Sequence, residues 1–297
     1  MNPLTKVFVT LSTVANHPLH RHAKLRGIFR FVVAQVAARG VPGEVCIEFT
    51  KGTWLIVPPG MKGATYQISP RVYEFHEMLF VAHFLRANEL FLDVGANLGA
   101  YTVLASGVAK ARTLAFEPCP STFRTLQMNI RLNDLSALAE ARHRALGRQA
   151  GTVSITTGLG TENYVTAGVE TQATVPVEMR VLDDELGAAK PVLMKIDVEG
   201  FESEVFAGAQ RLLDSPSLES MVIERNRSGE RYGFDEGTLH QQIRKAGFIP
   251  CTYDAERRTI NTVPDDHLGC IIYVRNLESA RQRVAAAPKV DIVGASI

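Results

Sequence analysis

Phe91-Leu92-Asp93-Val94-Gly95-Ala96-Asn97-Leu98-Gly99 reads as a short apolar strand, a carboxylate near its end, and a glycine-bearing turn that opens a helix. Ligands of open α/β sheets bind beside the carboxyl ends of strands, and glycines let a ligand approach the backbone closely. A dinucleotide fingerprint would space its glycines G-x-G-x-x-G. Here Asn97 interrupts that spacing, so the glycine that admits a pyrophosphate is missing. The turn therefore fits a nucleoside ligand without phosphates, and a cationic ligand would suit the carboxylate of Asp93.

Outward from this turn, β-rich runs alternate with helical patterns, the signature of a parallel sheet with crossover helices. Strands are expected at Leu90–Val94, Thr113–Phe116, Arg142–Ala145, Val192–Ile196 and Met221–Ile223. Helices are expected at Ala100–Ala109, Ser121–Leu132, Glu202–Leu213 and Glu236–Ala246. In the third helix Val205, Phe206, Ala209, Leu212 and Leu213 recur at the spacing that buries one face on a sheet. The final runs, Gly247–Tyr253 and Gly269–Val274, have only a polar loop between them and predict an antiparallel pair. Five parallel strands closed by such a pair make a seven-stranded, mostly parallel α/β sheet. Two further β-rich pieces between Gly151 and Arg180 form an insertion placed to shape a pocket.

Residues 1–69 read as an N-terminal cap, with one or two helices followed by a hairpin over Val45–Val57 that turns at Lys51-Gly52. Its Arg21, Lys24, Arg26, Arg30 and Arg39 are taken as a solvated helix face rather than an anion site. Residues 70–284 form the catalytic domain, and 285–297 a flexible, frayed tail. At 46% apolar and 21% charged residues the chain is an ordinary globular one, and 32 basic against 31 acidic side chains give no net field toward a polyanion such as nucleic acid. Cys46, Cys119, Cys251 and Cys270 show no C-x-x-C pair and are expected to be reduced and buried. Val7–Ala15 is too short for a membrane span, which leaves the cytoplasm as the default location.

Two more motifs fall in register with the first. Ala115-Phe116-Glu117-Pro118 ends the next strand on an acid 24 positions after Asp93, close to the offset at which a carboxylate takes ribose hydroxyls. Leu193-Met194-Lys195-Ile196-Asp197-Val198-Glu199-Gly200 ends the fourth strand on alternating charges. If the pleat persists that far, Lys195, Asp197 and Glu199 share one side. Charged groups there need partners or solvent and would face the ligand crevice. S-adenosylmethionine answers this description, since it has no phosphate and carries a cationic amino-acid end and sulfonium.

The set Asp93–Gly99, Glu117-Pro118 and Lys195–Gly200, with Tyr73-Glu74 upstream, Ala145-Leu146-Gly147 and Leu182-Asp183-Asp184, resembles the FkbM family of methyltransferases over about residues 70–275. The resemblance implies a Rossmann-like class I methyltransferase sheet and dependence on S-adenosylmethionine. It also implies O-methylation of a sugar, glycan or secondary metabolite. Carried onto this sequence, the donor site comprises Glu74, Asp93, Gly95, Asn97, Gly99, Glu117, Pro118, Ala145, Leu146 and Asp197.

Methyl transfer to a hydroxyl is helped by a base, and Asp197 or Glu199 is expected to serve, tuned by Lys195. A divalent ion on Asp197, Glu224 and Asn226 is the less favoured scheme. For Glu224 a salt link to an Arg, and for Asn226 a loop cap, are preferred. His76, His83 and His143 lie near the predicted site, but His76 and His83, seven apart, can simply share a helix face. A nicotinamide-dependent oxidoreductase, a non-catalytic S-adenosylmethionine-binding protein and a nucleic-acid amino-methyltransferase remain the alternatives, although the last would carry an Asn-Pro-Pro-aromatic turn where this chain has Ile196-Asp197-Val198-Glu199.

Overall fold

The computed structural model describes residues 11–12, 14–19, 24–25, 27–29, 31–32, 43–58, 74–168, 171–292 and 295–297. Tyr73, Arg21, Arg26, Arg30, Arg39 and part of Val7–Ala15, all singled out above, lie outside these. In chain order come β1 (Val45–Thr50), β2 (Thr53–Val57), α1 (Phe75–Phe84), β3 (Leu90–Val94), α2 (Ala100–Gly107), β4 (Arg112–Phe116), α3 (Pro120–Leu132), β5 (Ala139–Arg142) and β6 (Ala145–Leu146). The insertion supplies β7 (Gly151–Thr156) and β8 (Thr174–Arg180), followed by α4 (Leu182–Leu186), β9 (Pro191–Ile196), α5 (Glu202–Ala207), α6 (Gln210–Asp214) and β10 (Ser220–Arg225). The chain closes with α7 (Glu236–Lys245), β11 (Ile249–Asp254), β12 (Thr259–Thr262), β13 (Gly269–Val274), α8 (Leu277–Ala285), β14 (Asp291–Ile292) and β15 (Ala295–Ser296).

The central sheet runs β12-β11-β13-β10-β9-β3-β4-β5. β5, β4, β3, β9 and β10 are parallel, and β13 enters antiparallel between β10 and β11. This is the expected class I methyltransferase sheet with one more edge strand, because Thr259–Thr262 inside the presumed polar loop pairs back on β11. The chain leaves β3 toward β4 on one side and returns to β9 on the other. The crevice at the carboxyl ends of β3 and β9 is thus the switch point where such sheets bind ligands.

Strand alternation divides the core between two faces. Phe91 of β3 packs with α1, α2 and α3, and Leu92 and Val94 pack with α5, α6 and α7. Hairpin β1–β2 joins the first face. Asn129 accepts from Ile56 N at 2.6 Å and Asn133 from Trp54 N at 2.7 Å, satisfying β2 where it would otherwise be an open edge. Asn129 also donates to Leu98 O at 2.8 Å and so ties the hairpin to the glycine turn.

Four expectations need correction. The third parallel strand is Ala139–Arg142, and Ala145-Leu146 instead pairs with β8 in a separate three-stranded sheet β6-β8-β7. The helix expected over Glu202–Leu213 breaks at Gly208, where a Cβ would sit 2.2 Å from Gly147 O. The supposed frayed tail ends in a short ladder, with Val290 and Ile292 buried in the core. Cys46 is exposed, while Cys119 and Cys251 are buried and Cys270 is half-buried, all free thiols.

Candidate active site

Gly95 follows β3 with φ +77°, and a Cβ there would lie 1.8 Å from Asp197 O. Only glycine fits, because the turn after β3 is pressed against the end of β9, whose Asp197 N donates to Val94 O at 3.0 Å. On the other side Gly95 N and Ala96 N both donate to Phe116 O, at 3.0 and 2.9 Å. The turn is thereby bound to both neighbouring strands. Asn97 takes φ +52°, a region Asn tolerates better than most residues. Its N–H donates to Glu117 Oε2 at 2.8 Å and its Nδ2 to Thr161 O at 3.2 Å, so it joins the turn to both β4 and the insertion.

Glu117 is held from three sides, since its other oxygen accepts from Cys119 N at 2.8 Å and Thr122 Oγ1 at 2.7 Å. Burial pushes its pKa up, against these hydrogen bonds. Oε2, which takes one hydrogen bond, has further acceptor capacity. Val94, Gly95, Asn97, Glu117, Pro118, Ala145, Leu146, Asp197 and Glu199 line one cleft, closed by Ile155, Asn163, Tyr164 and Val165 of the insertion and by Phe201. Glu117 stands as a rigid acid on this cleft at the end of the next strand.

The remaining expected residues lie behind the cleft. Gly99, at φ +91°, faces Leu126. Asp93 is fully buried and accepts from Thr102 Oγ1 at 2.6 Å. Paired in register with Lys195 across β3 and β9, it supports that lysine instead of touching the cleft. Lys195 donates to Asp197 at 3.0 Å and lies 5.2 Å from the centre of the Tyr101 ring. Tyr101 OH donates to Glu74 at 2.6 Å. Burial opposes the lysine's charge, but Asp197, Asp93 and Glu74 outweigh it and raise its pKa. Burial also raises the carboxyl pKa values of Glu74 and Asp93, with Lys195 opposing.

Glu199 reaches the cleft by a different route from the one expected. β9 ends at Ile196, and Glu199 sits in a turn at φ +54° followed by Gly200 at φ +98°. The pleat therefore does not persist, and only Lys195 and Asp197 are set side by side by alternation. Glu202 holds the turn by accepting from Val198 N at 3.0 Å and Gly200 N at 3.3 Å. Burial, then Asp197, pushes Glu199 up to about 8 and Glu224 to about 7. Burial raises Glu202 to about 7.

Among the described residues no group of three His, Cys, Asp or Glu is placed to hold a metal ion. Asn226 caps its loop by accepting from Ser228 N at 2.9 Å, as expected. Glu224, expected to pair with an Arg, instead takes a hydrogen bond from Asn226. His83 is bound to Tyr253 OH at 2.7 Å and His76 accepts from Ala255 N at 3.2 Å, so both tie α1 to the β11 end. His143 stacks on Phe123. Sequence reading missed Tyr101, Thr122, Thr161 and Tyr164. It also missed Arg231, whose guanidinium lies 3.6 Å from the centre of the ring of Tyr164, a residue of the cleft wall. Thr122 alone carried a local signal, as a hydroxyl just after Glu117-Pro118-Cys119-Pro120.

Residues 93–250, more than half of the chain, match the Methyltransferase FkbM domain. The chain belongs to that family. Methyltransferase 1 of Beauveria bassiana is 29% identical over 146 residues, covering 41% of this chain and 58% of the relative. Methyltransferase sdnD of Sordaria araneosa is 30% identical over 159 residues, covering 42% and 61%. Hexuronic acid methyltransferase AglP of Haloferax volcanii is 31% identical over 141 residues, covering 46% and 56%. The chain thus spans between 56% and 61% of the length of these relatives. Among solved structures, the METTL16 MTase domain aligns with TM-score 0.44 at 11% identity, covering 84% of this chain and 81% of that one. M. capricolum TrmK with S-adenosyl-homocysteine aligns with TM-score 0.39 at 9% identity, covering 67% and 66%. No helix among the described residues is long and apolar enough to cross a membrane.

Proposed function

We propose that the chain methylates a hydroxyl on a sugar or a related small molecule, with an acidic, uronate-bearing acceptor the favoured class. The observation that carries this reading is the Lys195–Asp197 pair, 3.0 Å apart, with Asp197 on the wall of the cleft that also holds Gly95 and Glu117. Bound S-adenosylmethionine supplies a methyl group already activated by its sulfonium, which leaves alignment and deprotonation of the acceptor to the protein. Glu117 holds the ribose hydroxyls, and Gly95 and Asn97 shape the floor. Pro118, Ala145 and Leu146 give the nucleoside an apolar wall.

Asp197 takes the acceptor's proton. Lys195 fixes its orientation, and the Glu74–Tyr101 and Asp93–Thr102 pairs hold Lys195 in turn. Glu199, raised to about 8, enters the reaction largely protonated at neutral pH and donates a hydrogen bond to the acceptor. Arg231, over Tyr164, meets an acceptor carboxylate. That acidic preference accords with the relative named hexuronic acid methyltransferase.

Isotopically labelled donor, offered with uronate-containing glycans, neutral glycans, phenolic natural products and RNA, tests this reading by product mass. Methylated hydroxyls on uronate glycans, with or without chelator, are expected. Transfer to an amine or to RNA in preference would overturn the reading, as would loss of activity on chelation.

A further inference from the structure

Leu25, Phe29 and Val32 are 82%, 68% and 46% exposed. They stand four and three residues apart among helical residues, the spacing that gathers side chains on one helix face. Phe31, by contrast, is only 8% exposed and Gly27 is buried. The side turned to the protein is thus already supplied, and a second apolar stripe faces outward. One exposed leucine is ordinary; three large side chains in register need a partner.

Charge says which partner. Residues 1–43 contain six basic side chains, Lys6, Arg21, Lys24, Arg26, Arg30 and Arg39, and no Asp or Glu. Beyond Gly43, 26 basic residues face 31 acidic ones, so near-neutrality overall conceals a cationic segment, residues 1–43, beside an anionic remainder. Arg21, Lys24, Arg26 and Arg30 bracket Leu25 and Phe29 in the sequence. A solvated helix face would need the charges but not the stripe.

We propose that this segment lies on an anionic bilayer surface, with Leu25, Phe29 and Val32 entering the headgroup–acyl boundary and the flanking Lys and Arg meeting lipid phosphates. Apolar residues on one face and cations around them are the makeup of interfacial helices. Each Lys or Arg near an anionic leaflet strengthens binding about fivefold. Nucleic acid would use the charges and leave the stripe in water. A second copy would cover the stripe but set two six-fold cationic segments against each other.

The full chain is sedimented with vesicles of phosphatidylcholine alone and of phosphatidylcholine with about one-third phosphatidylserine. Binding at least about tenfold tighter to the anionic vesicles, weakened by salt, is expected. Leu25→Ser/Phe29→Ser should reduce it about tenfold while leaving the thermal shift given by S-adenosylhomocysteine unchanged. Lys24→Glu/Arg26→Glu should abolish the anionic preference, and it keeps the test decisive if the serine pair fails to fold. Equal binding to both vesicles would overturn the proposal, as would a serine variant that binds like wild type. So would tighter binding to RNA that ignores the serine pair, or a wild-type dimer that this pair dissociates.

Discussion

Lys195 and Asp197, two residues apart on one side of a strand end, are joined by a 3.0 Å ion pair in which the lysine side chain is 8% exposed and the aspartate 30%. The inner partner cannot lose its charge cheaply, because Asp93 and Glu74 face it as well. Removing Lys195 leaves those acids without a cation, so Lys195→Met should destabilise the protein by about 3–5 kcal/mol. Asp197→Asn keeps the shape and leaves Lys195 two other acids. It should lower kcat about 100- to 10,000-fold with S-adenosylhomocysteine affinity within a few-fold by calorimetry. Wild-type turnover in Asp197→Asn would remove Asp197 as the base.

Two glycines with similar backbone angles separate strain from contact. Gly233 has φ +74° and nothing within 4 Å of a Cβ, whereas Gly95 has φ +77° and meets Asp197 O at 1.8 Å. Gly233→Ala should cost about 1 kcal/mol from backbone strain alone. Gly95→Ala must also push β3 and β9 apart, so it should cost more and erase donor-induced thermal stabilisation. Equal melting temperatures for the two variants would contradict the close approach.

What the sequence discloses here depends on whether the deciding interaction is local. The β3 turn, Glu117 and the Lys195–Asp197 pair were readable because strand alternation and a glycine turn act within a few residues. Glu199 was assigned to the right cleft for the wrong reason, since Gly200 and the Glu202 cap bend the chain before the pleat reaches it. Ala139-Glu140-Ala141-Arg142 lacks the β-branched residues that mark a strand, and only pairing with β4 makes it one. Tyr101 and Thr102 of α2 and Glu74, which precedes α1, converge on Lys195 and Asp93. No spacing in one sequence reports such a meeting.

Arg231 tests the acceptor class apart from the chemistry. It stacks on Tyr164 of the insertion and donates to Glu199 O at 3.4 Å, without touching Asp197 or Glu117. Arg231→Ala should raise KM for a uronate acceptor about tenfold, the worth of one exposed charge-assisted contact. It should leave kcat and the KM of a neutral glycan nearly unchanged. An equal effect on both acceptors would assign Arg231 to holding the insertion in place.

Glu202 gives the turn at Glu199 a cost that varies with pH. It is 8% exposed, and burial lifts its pKa from 4.5 to about 7, against the hydrogen bonds from Val198 and Gly200. Between those values the folded chain holds a proton that the unfolded chain has released. The stabilising contribution is therefore complete below pH 4.5 and is lost as pH rises through about 7. The loss is on the order of 3 kcal/mol. Glu199 and Glu224, raised to about 8 and about 7, act in the same direction, so the melting temperature should fall steadily from mildly acidic to mildly alkaline buffer. Glu202→Gln keeps an acceptor oxygen for both N–H groups but has no proton to lose. Its melting temperature should exceed wild type by about 5 °C on the alkaline side and match it on the acidic side. A wild-type curve parallel to the variant's would mean that Glu202 ionises in the fold as freely as in solution.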